Sequence, residues 1–192
     1  MNTSLPIPVA GRILLVVTPP AGIEPLLELM ARLTEHGLVY VLDGGNAFQG
    51  YRLAEIMRRR SPEYAALLAR VMLTRVFTCY QMSALLSEEE FGPVPLLVLD
   101  FLATFYDQSV RAADRRRLLT GCLARLTRLS QHAPVVIWVR QRSAIPEEAL
   151  AFLDVVRAAA GQVWSPPLSR APHWQQANLW PDSSRTSGRL SG

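Results

Sequence analysis

The chain alternates between two hydrophobic rhythms. Residues 12–17, RILLVV, are a short run of branched apolar side chains, the pattern of a buried strand. From Ile23 to His36 the rhythm changes. Apolar positions recur at Leu26, Leu29, Met30 and Leu33, which fall on one helical face, and Gly37 supplies a stop. LVYVLD (38–43) is a second strand, ending in Asp43 and the small turn Gly44-Gly45. Helical spacing returns over Tyr51–Arg60 and again from Pro62 to Leu68. VMLTRVF (71–77) predicts a third strand, and Tyr80–Glu89 a helix. PLLVLD (95–100) is apolar on both faces, as a strand covered by helices on each side must be. A long helix over Ala112–Gln131 would bury Leu118, Leu119, Leu123, Leu126 and Leu129. PVVIWV (134–139) is a fifth strand, followed by a helix over Pro146–Ala160 and a short strand at Gln162–Trp164.

Strand followed by helix, repeated along the chain, demands right-handed crossovers. The expected fold class is therefore α/β, with a doubly wound, mostly parallel sheet and helices on both faces. Past residue 165 the periodicity stops. SPPLSRAPHWQQANLWPDSSRTSGRLSG is rich in Pro, Ser and Gly, so residues 1–165 are expected to form the domain and 166–192 a flexible tail.

Composition narrows the chemistry. With 49% apolar and 19% charged residues in 192, the body is expected to fold as one globular domain. No apolar run reaches the ~18 residues a membrane span needs. The start, MNTSLPIPVAGR, has no basic region ahead of its apolar residues, so no secretory signal is expected and the compartment predicted is cytoplasmic. Cys79 and Cys122 match no metal spacing and read as buried free thiols. All 20 basic residues are arginine. That excludes, within this chain, a phosphate-binding lysine, Schiff-base catalysis and a lysine base. The net charge is +4, and Arg58-Arg59-Arg60 and Arg115-Arg116-Arg117 stand out as clusters. Each is either a solvated helix face or a weak nucleic-acid patch.

The order of pieces resembles the core of the RecA-like ATPases, in particular the RecA/RadA recombinase branch. TPPAGIEP (18–25) lies where that family has its phosphate loop. VYVLDGGNAFQGYRLAEI (39–56) resembles its second-strand segment, and TRVFTCYQM (74–82) the next strand and turn. PLLVLDFLATFYD (95–107) resembles the Walker B strand and the loop after it. VVIWVRQ (135–141) resembles the strand that ends in a sensor glutamine. The resemblance implies a RecA-like domain in which Asp100 matches the Walker B aspartate, a holder of Mg²⁺ through water in active relatives. It also implies that Gln141 matches the sensor.

The departures fall on the chemistry. The family loop reads G-x-x-x-x-G-K-[ST]: its glycines free backbone N–H groups for phosphate, its lysine reaches the β and γ oxygens and its hydroxyl holds Mg²⁺. Here Thr18 and Ile23 take the glycine positions, Glu24 the lysine position and Pro25 the hydroxyl position. Ile23 resists the turn a glycine makes. A carboxylate ~4 Å from a phosphate charge repels it by ~4 kcal/mol at an effective dielectric near 20. Pro25 removes an N–H from the anion-binding helix end, although it suits a helix start. The position of the catalytic carboxylate after the second strand holds Gly45, and Asp43 is expected to close that loop. These positions are therefore expected to bind no cofactor and to carry no catalysis, with Asp100 capping its strand end.

His36, His132 and His173 have no metal-ligand spacing, no G-x-S-x-G motif is present, and the acidic SEEEFG (87–92) reads as a turn. In the tail, Gln176-Ala177-Asn178-Leu179-Trp180 resembles the short peptides by which bacterial replication and repair proteins dock on the sliding clamp. Gln176, Leu179 and Trp180 are thus candidates for holding a protein partner. The function expected is a non-catalytic RecA-fold accessory protein in DNA recombination, repair or translesion synthesis. It would act by binding a recombinase, polymerase or helicase, with no role at a membrane. The alternatives are an ATPase with an altered phosphate loop, and a single-stranded DNA binder using arginines and tail tryptophans.

Overall fold

The computed structural model describes residues 5–166. Its strands are β1 (Ile13–Thr18), β2 (Val39–Asp43), β3 (Val71–Arg75), β4 (Leu96–Leu99), β5 (Val135–Arg140) and β6 (Gln162–Trp164). Its helices are α1 (Glu24–His36), α2 (Gly50–Arg60), α3 (Tyr64–Leu68), α4 (Cys79–Glu88), α5 (Ala112–Ser130) and α6 (Phe152–Ala159). The strands form one sheet in the order β3-β2-β4-β5-β1-β6, and every neighbouring pair is parallel. This is an α/β fold consistent with a RecA-like doubly wound domain, and its sheet is parallel throughout.

The strand sequences divide by period two between two cores. Ile13, Leu15 and Val17 of β1 join Leu96 and Val98 of β4 and Val135, Ile137 and Val139 of β5 beneath α4, α5 and α6. Leu14, Val16, Leu97, Leu99, Val136 and Trp138 face the other way, against α1, α2 and α3. Both faces of β1, β4 and β5 are apolar because both are covered.

Two elements differ from expectation. The third strand stops at Arg75. The Val76 N–H donates to the Asp43 carbonyl, the Phe77 N–H goes to the Gln81 side chain, and Thr78 caps α4 by accepting from the Gln81 N–H at 3.1 Å. Val76 thus keeps its bond to β2, and the cap claims the chain from Phe77 onward. The helix expected over Pro146–Ala160 is split into a 3-10 turn, Glu147–Ala149, and α6. Ala149 at the end of that turn and Phe152 at the start of α6 are both buried in the core.

Candidate functional site

Parallel strands deliver their last residues to one edge of the sheet, and three of the buried polar groups, Thr18, Asp43 and Asp100, lie there. The connection after β1 leads to α1 on one face, whereas that after β5 leads to α6 on the other. The C-terminal ends of these neighbouring strands thus form a topological switch point, where open α/β sheets leave a crevice. A cleft of about 490 Å³ lies there, lined by Pro20, Tyr106, Arg140, Arg142, Leu150 and Leu153 among others.

The segment after β1 is a closed turn. The Gly22 N–H donates to the Pro19 carbonyl at 2.9 Å, and the Thr18 hydroxyl is taken between the Pro19 carbonyl and the Trp138 indole N–H. A Cβ on Gly22 would come within 2.7 Å of the Thr18 Cβ, so glycine is needed for the turn to fold onto Thr18. Ile23 is buried, and its carbonyl accepts from Leu26 and Leu27 as α1 begins. Glu24 is half exposed and forms an ion pair with Arg52 at 2.8 Å. Its geometry is not that of a hydrogen bond. Pro25 sits in the first turn of α1.

Asp100 follows β4 in left-handed backbone, φ 46°, and is fully buried. Its Oδ2 accepts from Arg140 Nε at 3.0 Å, from Arg140 Nη2, and from Arg142 Nη2 at 2.8 Å. Arg140 Nη2 also reaches the Gly45 carbonyl at 3.3 Å. Oδ1 is buried without a hydrogen-bond partner among the described residues. Charge-assisted bonds of this kind are the strong ones, and here two guanidinium groups converge on one oxygen. Beside them, burial and then the Asp100 charge push the Tyr106 phenol above its usual pKa, partly offset by Arg142. The Arg142 guanidinium lies 5.7 Å from the Tyr106 ring centre. Gln141 extends the β1–β5 ladder, its N–H donating to the Thr18 carbonyl at 2.8 Å, and its side chain is exposed.

The chain resembles meiotic recombination proteins. It is 29% identical over 127 residues to the meiotic recombination protein DMC1/LIM15 homolog of Mus musculus, a match covering 60% of this chain and 37% of that protein. The Homo sapiens protein of the same name matches with the same identity and coverage. The chain therefore spans well under half the length of these curated relatives. No family model matches it. The similarity supports a RecA-like relationship, in keeping with the sheet.

Of the other residues singled out in sequence, Asp43 closes its loop as expected. Its two oxygens accept from the N–H groups of Gly45, Ala47 and Phe48, and Arg75 lies 3.8 Å away. The two arginine clusters are not brought together. Arg58, Arg59 and Arg60 end α2 on one face of the sheet, where Arg58 lies over the Tyr64 ring, Arg59 pairs with Glu55 and Arg60 with Glu35. The other cluster is on α5, across the sheet, and it is not a patch of three. Arg116 and Arg117 are exposed, but Arg115 is 1% exposed and donates to the Phe105 carbonyl. Arg115 falls on the core face with Leu118, Leu119 and Cys122, a spacing visible in the sequence.

Cys79 and Cys122 are buried free thiols, and burial pushes Cys122 up to about 12. His36 ends α1 and His132 follows α5. Among the described residues no group of His, Cys, Asp and Glu could hold a metal ion, and no helix is long and apolar enough to cross a membrane. His173, Gln176, Leu179 and Trp180 lie outside the described residues. Arg140 and Arg142 are the site residues that sequence reading missed.

Proposed function

We propose that this chain is a non-catalytic RecA-like accessory protein in DNA recombination or an allied repair process, acting by binding a protein partner rather than by turning over nucleotide. The observation that carries the reading is the Asp100 carboxylate. One carboxylate oxygen, Oδ2, is held by Arg140 and Arg142, and the other, Oδ1, is buried. A Mg-nucleotide suits this arrangement poorly, because its cation would meet two guanidinium charges already seated on a fully buried carboxylate. The closed Pro19–Gly22 turn and the carboxylate of Glu24 support the same conclusion. So does Gly45, which stands where the resemblance implies a catalytic carboxylate.

The match to meiotic recombination proteins favours the recombination setting, and the absence of a working phosphate cradle favours binding over catalysis. Titration calorimetry with Mg-ATP, at protein concentrations able to detect ~100 μM affinity, tests the proposal. A flat isotherm is expected. Saturable heat that disappears in Asp100→Ala would overturn it.

A further inference from the structure

The switch-point cleft has two unlike walls. One carries the guanidinium groups of Arg140 and Arg142, 26% and 36% exposed, with the Tyr106 ring beside them. The other is apolar, made by Ile145, Leu150 and Leu153. Leu150 is 56% exposed although it borders a cavity, which leaves a large apolar side chain in contact with water. Charge is also left over. Two guanidinium groups share the single carboxylate of Asp100, and among the described residues no acidic side chain lines the cleft. A neutral or cationic ligand would leave this wall uncompensated, and a bare phosphate would leave the apolar wall wet.

We propose that this cleft is the docking site for an acidic peptide segment of a protein partner, one carboxylate side chain set against Arg140 and Arg142 and an adjacent large apolar side chain set against Leu150 and Leu153. The inference rests on the proposed function as a binding protein and names the chemistry of the partner. Charge complementarity chooses the occupant. The Asp100 bonds occupy Nε and Nη2 of Arg140 and Nη2 of Arg142, so each fork keeps further N–H groups for a second acceptor. The Asp100 contact fixes both side chains before the ligand arrives, which lowers the ordering cost of binding. The cleft's size falls within the range of ordinary ligand pockets, about 300–1,000 Å³. Nucleic acid suits it less well. A phosphate backbone needs a run of exposed cations, whereas the arginine clusters of α2 and α5 lie on opposite faces of the sheet.

The test uses the full chain, isotope-labelled for amide NMR, with three probes: acetyl-Phe-Asp-Leu-amide, its counterpart acetyl-Phe-Asn-Leu-amide, and a thymidine oligonucleotide. The acidic peptide should shift the amides of Tyr106, Gln141–Ser143 and Leu150–Leu153. The asparagine peptide should bind roughly tenfold more weakly, the cost of one charge-assisted hydrogen bond. Arg142→Gln should weaken the acidic peptide by a similar factor. Leu150→Ser, at a position 56% exposed, should weaken both peptides. Equal affinity for the two peptides, or shifts that map elsewhere, would overturn the proposal. So would an oligonucleotide that shifts these same amides and displaces the peptide. A Mg-ATP titration on the same samples reports separately on the proposed function, so failure of the peptide reading leaves that outcome distinct.

Discussion

Gly45 and Asp100 are packed so closely that the first can carry no side chain. A Cβ at position 45 would lie 2.2 Å from Oδ2 of Asp100 and 2.6 Å from its Cβ. Both contacts involve a fully buried carboxylate already held by two arginines, so the neighbour has nowhere to go. Gly45→Ala should therefore destabilise the fold by about 1–3 kcal/mol, the usual cost of overpacking. A urea titration should show the midpoint falling with the slope unchanged. An unchanged midpoint would mean that the Asp100–arginine cluster can relax.

The same contact governs attempts to restore an ATPase. Glu24→Lys with Pro25→Thr should give no measurable turnover. The Gly22 N–H remains bonded to Pro19, Asp100 remains held by Arg140 and Arg142, and a carboxylate cannot be introduced at Gly45. Phosphate release above background in the double variant would show that the turn opens readily.

Arg115 and its neighbours should separate by role. Arg115→Gln should cost stability, about 1–3 kcal/mol for a buried carbonyl that loses its donor, because Arg115 serves the Phe105 carbonyl. Arg116→Gln with Arg117→Gln should leave the unfolding midpoint nearly unchanged and reduce only a weak, salt-sensitive affinity for oligonucleotide. Oligonucleotide binding that hardly weakens as salt rises would contradict an electrostatic origin.

The cysteines set a pH dependence. In the folded chain the Cys122 thiol is pushed up to about 12, mainly by burial, from a model-compound value of 9.0. The folded state thus holds the neutral thiol while the unfolded chain ionises earlier. Its contribution to stability is complete below about pH 9 and is lost as pH rises toward 12. Cys122→Ala should flatten the fall in unfolding midpoint over that window. At pH 8 neither Cys122 nor Cys79, also raised chiefly by burial, should react with iodoacetamide until denaturant is added. Rapid modification of the native protein would refute this.

What the sequence disclosed follows from distance along the chain. β1, β4 and β5 were legible because their two-sided apolar runs report burial directly, and α1 and α5 because Leu26–Leu33 and Leu118–Leu129 keep a helical stripe. The closure of the Asp43 loop was legible because its partners are two to five residues away. The Asp100 cluster was not, because Arg140 and Arg142 approach it across the sheet and no local pattern marks such a contact. One signal was present. In VRQR the arginines flank Gln141 at the end of a strand that must lie near the strand of Asp100 in a parallel sheet. Arg115 was misread because a run of three arginines suggests solvent, whereas its helical phase points to the core. The helix over 146–160 reads as continuous because its apolar spacing, with Ala149 and Phe152 three apart on one face, is the same whether or not the first turn is 3-10.

The strand order also dictates a schedule for synthesis. Among the described residues β1 comes first in the chain, yet its sheet partners are β5 and β6, the fifth and sixth strands. Until Val135–Arg140 leave the ribosome, Ile13–Thr18 is an apolar segment with both edges unpaired, while β2, β3 and β4 can already join one another. The nascent chain therefore carries an unpaired apolar strand until β5 is made, and the sheet closes only when β5 enters between β4 and β1 and β6 adds to the far edge of β1.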